Sequence, residues 1–179
     1  MKIISGKIKG QSILIHKNSE FRPTLSRIRE DLFNIINHNK ILNIKLEESI
    51  FCDLFCGSGS IGLEAISRGA KKVIFNDIDT VNIQIIRKFL VNTEFKNYLL
   101  KNEDAYIKSE LVLENSDIIY IDPPYKDKVH LFMQNIYKKI PINCLIIIET
   151  DQKFEHQNLI FQKKYKSKNL FFLKKTNEI

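Results

Sequence analysis

Ile50-Phe51-Cys52-Asp53-Leu54-Phe55-Cys56-Gly57-Ser58-Gly59-Ser60-Ile61-Gly62 decides how the rest of the chain is read. The apolar run 50–55 predicts a buried strand. It is followed by glycines spaced G-x-G-x-x-G and then by helical periodicity over 60–68, closed by Gly69. In such a strand–loop–helix, Gly57 permits the turn, Gly59 lets the backbone approach a ligand, and Gly62 lets the helix pack closely. Asp77 ends the next apolar run, where its carboxylate can accept hydrogen bonds from ribose hydroxyls. The pattern predicts an adenosine-type ligand over the strand ends and leaves two candidates, NAD and S-adenosylmethionine. Asp53 separates them. A carboxylate beside the glycines repels a pyrophosphate but attracts the α-ammonium of a methionine moiety. Read as structure alone, Asp53 caps the turn.

Outward from this core, strand and helix alternate. Strands are predicted at 72–75, 98–100, 118–121 and 144–148, and helices at 80–95 and 128–139. Two more strands, 158–163 and 169–174, close the chain. Continuous apolar strands fit a sheet covered on both faces, so the expected fold is α/β: a mixed, mostly parallel, Rossmann-like sheet with helices on both faces. Ahead of it, 2–5 and 12–15 are short β-type runs around Gly6 and Gly10, which predicts a hairpin-like arm. Pro23 then forces Arg22 extended, and Leu25, Ile28, Leu32, Ile35 and Ile36 recur at helical spacing.

Composition bounds the function. The 179 residues, 44% apolar and 27% charged, make one folded domain with a small appendage, and no apolar run is long enough for a membrane helix. The first residues show no apolar segment of the secretory kind, and Cys52, Cys56 and Cys144 are odd in number, so a reducing, cytoplasmic setting is expected. His16, His38, His130 and His156 are scattered, and no metal site is expected. Net charge is +7, with +5 on residues 1–30, +5 on 152–179 and −3 between them. Basic ends around an acidic middle predict a polyanionic partner gripped by the ends. The arm and the segment 22–29 are expected to form a basic surface beside the mouth of the site.

Asp122-Pro123-Pro124-Tyr125, at the end of the fourth strand, is the most specific feature. An aromatic NH₂ is a poor nucleophile because its lone pair is delocalised into the ring. Two acceptors set against its hydrogens localise that pair. The Asp122 carboxylate supplies one and the Pro123 carbonyl the other, on a backbone that proline holds rigid. Tyr125 offers a face on which a target base stacks. Asp104, after the third strand, can accept the adenine N–H, although an acid there also reads as a cap.

With these residues in view the chain resembles the RsmD family of small-subunit ribosomal RNA guanine-N2 methyltransferases. The resemblance rests on K-I-I-S-G-x-x-x-G at 2–10, Arg22-Pro23-Thr24 with R-x-R-E-x-L-F-N at 27–34, D-L-F-C-G-S-G-S-I-G-L-E-A at 53–65, and Asp122-Pro123-Pro124-Tyr125. It implies an S-adenosylmethionine-dependent methyltransferase fold, with residues 1–38 as an RNA-contacting extension and 39–179 as the methyltransferase domain. It implies an enzyme acting on a guanine of 16S rRNA, in the small subunit or its assembly intermediate, and a monomer is expected because one site must fit a large ribosomal surface. By motif, Asp53, Gly57, Ser58, Gly59, Asp77 and Asp104 take the cofactor, and Asp122, Pro123 and Tyr125 the target amine. Arg22 and Thr24 are placed with the cofactor, Arg22 being equally suited to an RNA phosphate. Departures are Ser5 for a glycine, Asp77 for a longer acid, and a 165–172 segment without its glycine. The rivals are a DNA adenine-N6 methyltransferase, a non-catalytic RNA-binding protein that keeps the fold, and a methyltransferase for another planar amine.

Overall fold

The run that begins at Ile50 forms the middle of a seven-stranded sheet in the computed structural model of the protein, which describes residues 1–14, 26–113, 115–124 and 129–176. Helix α1 (Ser26–His38) leads into β1 (Ile50–Asp53). There follow α2 (Ser60–Ser67), β2 (Lys72–Asn76), α3 (Thr80–Val91), β3 (Tyr98–Lys101), α4 (Ser109–Leu113) and β4 (Ile118–Ile121). Then come α5 (Val129–Ile136), β5 (Leu145–Thr150), β6 (Leu159–Lys164) and β7 (Asn169–Lys174). The strand order is β3-β2-β1-β4-β5-β7-β6, and β7 alone runs opposite to the other six. The expected Rossmann-like sheet is present. The chain order reverses between β1 and β4, and the carboxyl ends of these strands flank that switch point, where ligands bind in such sheets.

Alternation along each strand divides the core in two. Phe51, Val73, Phe75, Ile118, Tyr120 and Ile147 face the layer of α1, α2 and α3. Cys52, Ile74, Ile119, Ile121, Ile146 and Ile148 face the layer of α4 and α5. The edge strands β3 and β6 are only half-buried, and β6 ends in Lys163 and Lys164, charges that discourage edge-to-edge pairing. Two local expectations are corrected. The third helix stops at Val91, where Asn92 and Thr93 turn back onto the last carbonyls. The helix expected over 128–139 is α-helical from Val129 to Ile136 and tightens to a 3₁₀ turn at Tyr137–Lys139. Short α4 lacked enough apolar period to be read. The 165–172 segment, despite lacking glycine, makes a regular hairpin. Its one register irregularity lies at Leu159/Phe161, far from the turn.

The N-terminal arm joins the same core through Ile3 and Ile13 and is closed by a single antiparallel bridge, Lys2 to Ser12. Its turn docks on the last turn of α2. Lys7 N donates to Ser67 O at 2.7 Å and Ile8 N to Ser67 Oγ at 3.2 Å. Gly6 has φ +86°, and a Cβ there would sit 1.9 Å from Ser67 O, so no other residue fits. Since α2 starts at the carboxyl edge of the sheet and runs away from it, the arm's turn lies at the opposite edge. That corrects the expectation of an arm beside the site. Arg29 also leaves the expected basic surface: it is fully buried, pairs with buried Glu64 at 3.4 Å, and donates to Lys2 O at 2.6 Å. Glu64 accepts as well from Ile4 N, Ser5 N and Arg68 Nε. Arg29 and Glu64, both inside the resemblance motifs, hold arm, α1 and α2 together.

Candidate active site

The carboxyl edge of β1 and β2 builds a cradle from short connections. Gly57 and Gly59 take positive φ, 49° and 75°, and Gly59 starts α2 in the left-handed region. The Gly57 N–H donates to Asp77 Oδ2 at 2.7 Å, and Asp79 N to Asp77 Oδ1 at 2.8 Å. Asp53 Oδ2 accepts from Gly62 N at 2.8 Å, so this residue does cap the turn. A Cβ on Gly62 would lie 2.2 Å from the ring of Phe75, which makes this glycine the close-packing one. A Cβ on Gly59 would lie 2.7 Å from the Ile86 side chain. Its φ and its packing on α3 each call for glycine. Ser58, half-buried, stands at the top of the loop.

Asn76 fastens the neighbouring strand ends. Its Nδ2 donates to Leu54 O and Glu103 O, both at 3.1 Å, and its Oδ1 accepts from Glu103 N. Asn102 Nδ2 donates to Asp77 O and Ile78 O. These ties shape a cleft lined by Phe55, Asp77, Ile78, Asp104, Tyr106 and Pro124, among others. Asp104 lines it while its Oδ1 caps Tyr106 N at 2.8 Å. Ile78 is 69% exposed and Tyr106 43%, apolar surfaces of the kind a base ring covers. Sequence reading missed Ile78, Phe55 and Tyr106. An exposed isoleucine directly after a strand-end acid was the one available signal.

Two carboxylates at this edge are almost wholly buried, Asp53 at 1% and Asp77 at 4% exposure. Burial pushes Asp53 up to about 7, against the Gly62 N–H and with the repulsion of Asp122, Asp77 and Glu149. Burial also raises Asp77, opposed by the N–H groups of Asp79 and Gly57. Among the described residues neither has an ion-pair partner. A ligand that brings positive charge fits these carboxylates, and S-adenosylmethionine, with its ammonium and sulfonium, is such a ligand.

Across the switch point, Asp122, Pro123 and Pro124 line a second, smaller hollow with Val129, Glu149 and Lys168. Pro124 lines both spaces, so the two sites adjoin. Asp122 keeps 25% side-chain exposure. Lys168 Nζ lies 3.1 and 3.3 Å from its two oxygens and 2.6 Å from Glu149 Oε1. Tyr120 OH donates to the other Glu149 oxygen in a short hydrogen bond. Arg22, Thr24 and Tyr125 fall outside the described residues. The structure thus gathers Asp53, Gly57, Ser58, Gly59, Asp77, Asp104, Asp122 and Pro123 along one edge.

A parallel sheet with one antiparallel strand, a glycine loop after β1 and an acid after β2 define the Rossmann-like methyltransferase fold. The solved structure of an RNA methyltransferase from Salinibacter ruber in complex with S-adenosyl-L-homocysteine matches with TM-score 0.70 at 12% identity, over 88% of this chain and 96% of that one. A putative methyltransferase, yhhF, from Escherichia coli matches with TM-score 0.80 at 24% identity, over 99% of both chains. The family model described as conserved hypothetical protein 95 matches residues 1–174, and the chain belongs to that family, the RsmD family. A relative named ribosomal RNA small subunit methyltransferase D, from Buchnera aphidicola subsp. Baizongia pistaciae, is 31% identical over 96% of this chain and 89% of its own length.

Proposed function

We propose that the protein is a ribosomal RNA methyltransferase that moves a methyl group from S-adenosylmethionine to the exocyclic N2 of a guanine in small-subunit RNA. The observation that carries this is the adjacency of two unlike acidic sites sharing Pro124. One includes the buried Asp77, which has no ion-pair partner among the described residues, and the other is an Asp-Pro-Pro corner. The relative named for small-subunit ribosomal RNA supports the substrate class.

When bound, S-adenosylmethionine supplies a methyl group activated by its sulfonium, which leaves as the S–C electron pair returns to sulfur. Asp53 would hold the ammonium end, Asp77 the ribose, and Ile78, Phe55 and Tyr106 the adenine. Asp122 accepts one amine N–H and the Pro123 carbonyl the other, so the nitrogen lone pair is localised on the forming N–C bond. Burial and Glu149 raise Asp122 against the pull of Lys168, so its carboxylate is basic enough to take the proton that the nitrogen releases. Everything else is positioning. The substrate is the small subunit or its assembly intermediate, and the enzyme acts as a monomer.

Incubating the protein with labelled cofactor and small subunits from a strain lacking the gene, then separating nucleosides by mass spectrometry, tests the reading. Label in N2-methylguanosine is expected. Label in N6-methyladenosine, or cofactor binding without transfer, overturns it.

A further inference from the structure

Lys168 precedes β7, in a turn closed by a bond from Tyr165 N to Lys168 O at 2.9 Å. A lysine in a hairpin turn ordinarily points to water. This one is 8% exposed and lies between two carboxylates of the catalytic edge, Asp122 after β4 and Glu149 within β5. Glu149 is itself 1% exposed and is held from the other side by Tyr120 OH. Burying an ammonium is costly unless it is paired on all sides. The arrangement therefore reads either as a tie between β4, β5 and the C-terminal hairpin, or as a device acting on Asp122.

We propose that Lys168 is a positioning residue for methyl transfer, anchored by Glu149 and Tyr120 so that its ammonium fixes the Asp122 carboxylate as a charged, oriented acceptor for the target amine. The proposal rests on the methyl-transfer reading above. Two geometric facts favour it over a plain tie. The ammonium reaches both Asp122 oxygens at similar distance, 3.1 and 3.3 Å, which fixes the plane of the carboxylate. Each carboxylate oxygen keeps a further lone pair, so Lys168 occupies Asp122 without exhausting it. The shorter contact goes to Glu149, which takes the larger share of the cation and leaves Asp122 basic.

Among the described residues, the groups facing Asp122 are Glu149 of β5, Asp151 just after it, Asp53 of β1 and Lys168 of the hairpin. Lys168 is the one cation in that set. Removing it should raise the pH at which Asp122 ionises, and removing Glu149's charge should lower it.

The test uses the full chain as wild type, Lys168→Met, Lys168→Arg and Glu149→Gln. Two quantities are followed: the ¹³C carboxyl titration of Asp122, assigned against Asp122→Asn, and the pH profile of single-turnover methylation of small subunits. Lys168→Met should move both the titration and the acid limb of the profile up by about one unit or more, the scale of one charge within a few ångströms. At pH 7 the rate should fall about tenfold, with cofactor affinity unchanged, and Lys168→Arg should restore most of it. Glu149→Gln should move both down, which keeps the proposal testable if Lys168→Met fails to fold. A loss of rate that follows thermal stability with an unmoved profile makes Lys168 a structural tie and overturns the proposal. A wild type that transfers no methyl overturns the methylation reading instead, while the titration still decides whether Lys168 governs Asp122.

Discussion

The two halves of the catalytic edge treat buried carboxylates in opposite ways. At β1 and β2, Asp53 and Asp77 are buried against glycine N–H groups and have no ion pair among the described residues. At β4 and β5, Asp122 and Glu149 share the ammonium of Lys168. Under the proposed function, the difference follows from what each half would receive. A cationic cofactor brings its own charge, and an internal lysine there would compete with it. A neutral amine brings none, so the carboxylate that faces it needs a cation from the chain. Charge left unbalanced in the protein thus marks where a charged ligand belongs.

The sharpest way to separate the halves is Asp122→Ala. Single-turnover methylation should fall about 10²–10³-fold, the usual cost of one preorganised group at a reacting centre. Cofactor affinity measured by calorimetry should stay within a few-fold. An equal loss in both would merge the two sites into one.

Gly6→Ala should spare both halves and damage only the arm. Its Cβ has no space beside Ser67 O, so chemical unfolding should show a loss of about 1–3 kcal/mol, typical of overpacking a filled site. Cofactor affinity of the folded variant should match wild type. If affinity falls with stability, the arm is coupled to the cradle through α2.

A smaller effect concerns RNA grip. Exposed Lys164 and Lys166 sit on the hairpin beside Asp122, whereas exposed Lys7 and Lys9 sit on the arm's turn at the far edge. Replacing the first pair with alanine should lower the salt dependence of small-subunit binding by up to about 0.7 in log–log slope for each phosphate that is no longer neutralised. Replacing the second pair should change the slope less. The reverse order would return RNA binding to the arm.

Much of this was legible in the sequence because its signals are local. The glycine spacing, the acids at strand ends and Asp122-Pro123-Pro124 each lie within a few residues, and the apolar runs fixed the strands to within two residues. Lys168 was not legible. It meets Asp122 across 46 positions, and a lysine in a polar turn reads as solvent. Glu149 held the missing hint: an acid directly after the apolar run 144–148 can stay within the strand and be met there by a cation from elsewhere in the chain. Glu64, within the buried helix α2, held the same hint for Arg29, which the charge distribution had set on a basic surface. The arm's position was likewise invisible, because Gly6 owes its role to Ser67, far along the chain.

The most direct measurement of the charge asymmetry is Asp53→Asn, which keeps an acceptor for Gly62 N and removes the anion. Asp53 is raised in the folded protein to about 7 from an ordinary value near 4, so its contribution to stability is full below pH 4 and is lost as pH rises through 7. Without ligand, the variant should therefore unfold at a higher denaturant concentration than wild type at pH 8 and show a shallower decline between about pH 4 and 7, Asp122 and Asp77 supplying the rest. Its affinity for S-adenosylmethionine by calorimetry should fall about tenfold or more, the two changes running in opposite directions. A variant that is less stable without ligand, or that binds the cofactor as tightly as wild type, would contradict the account.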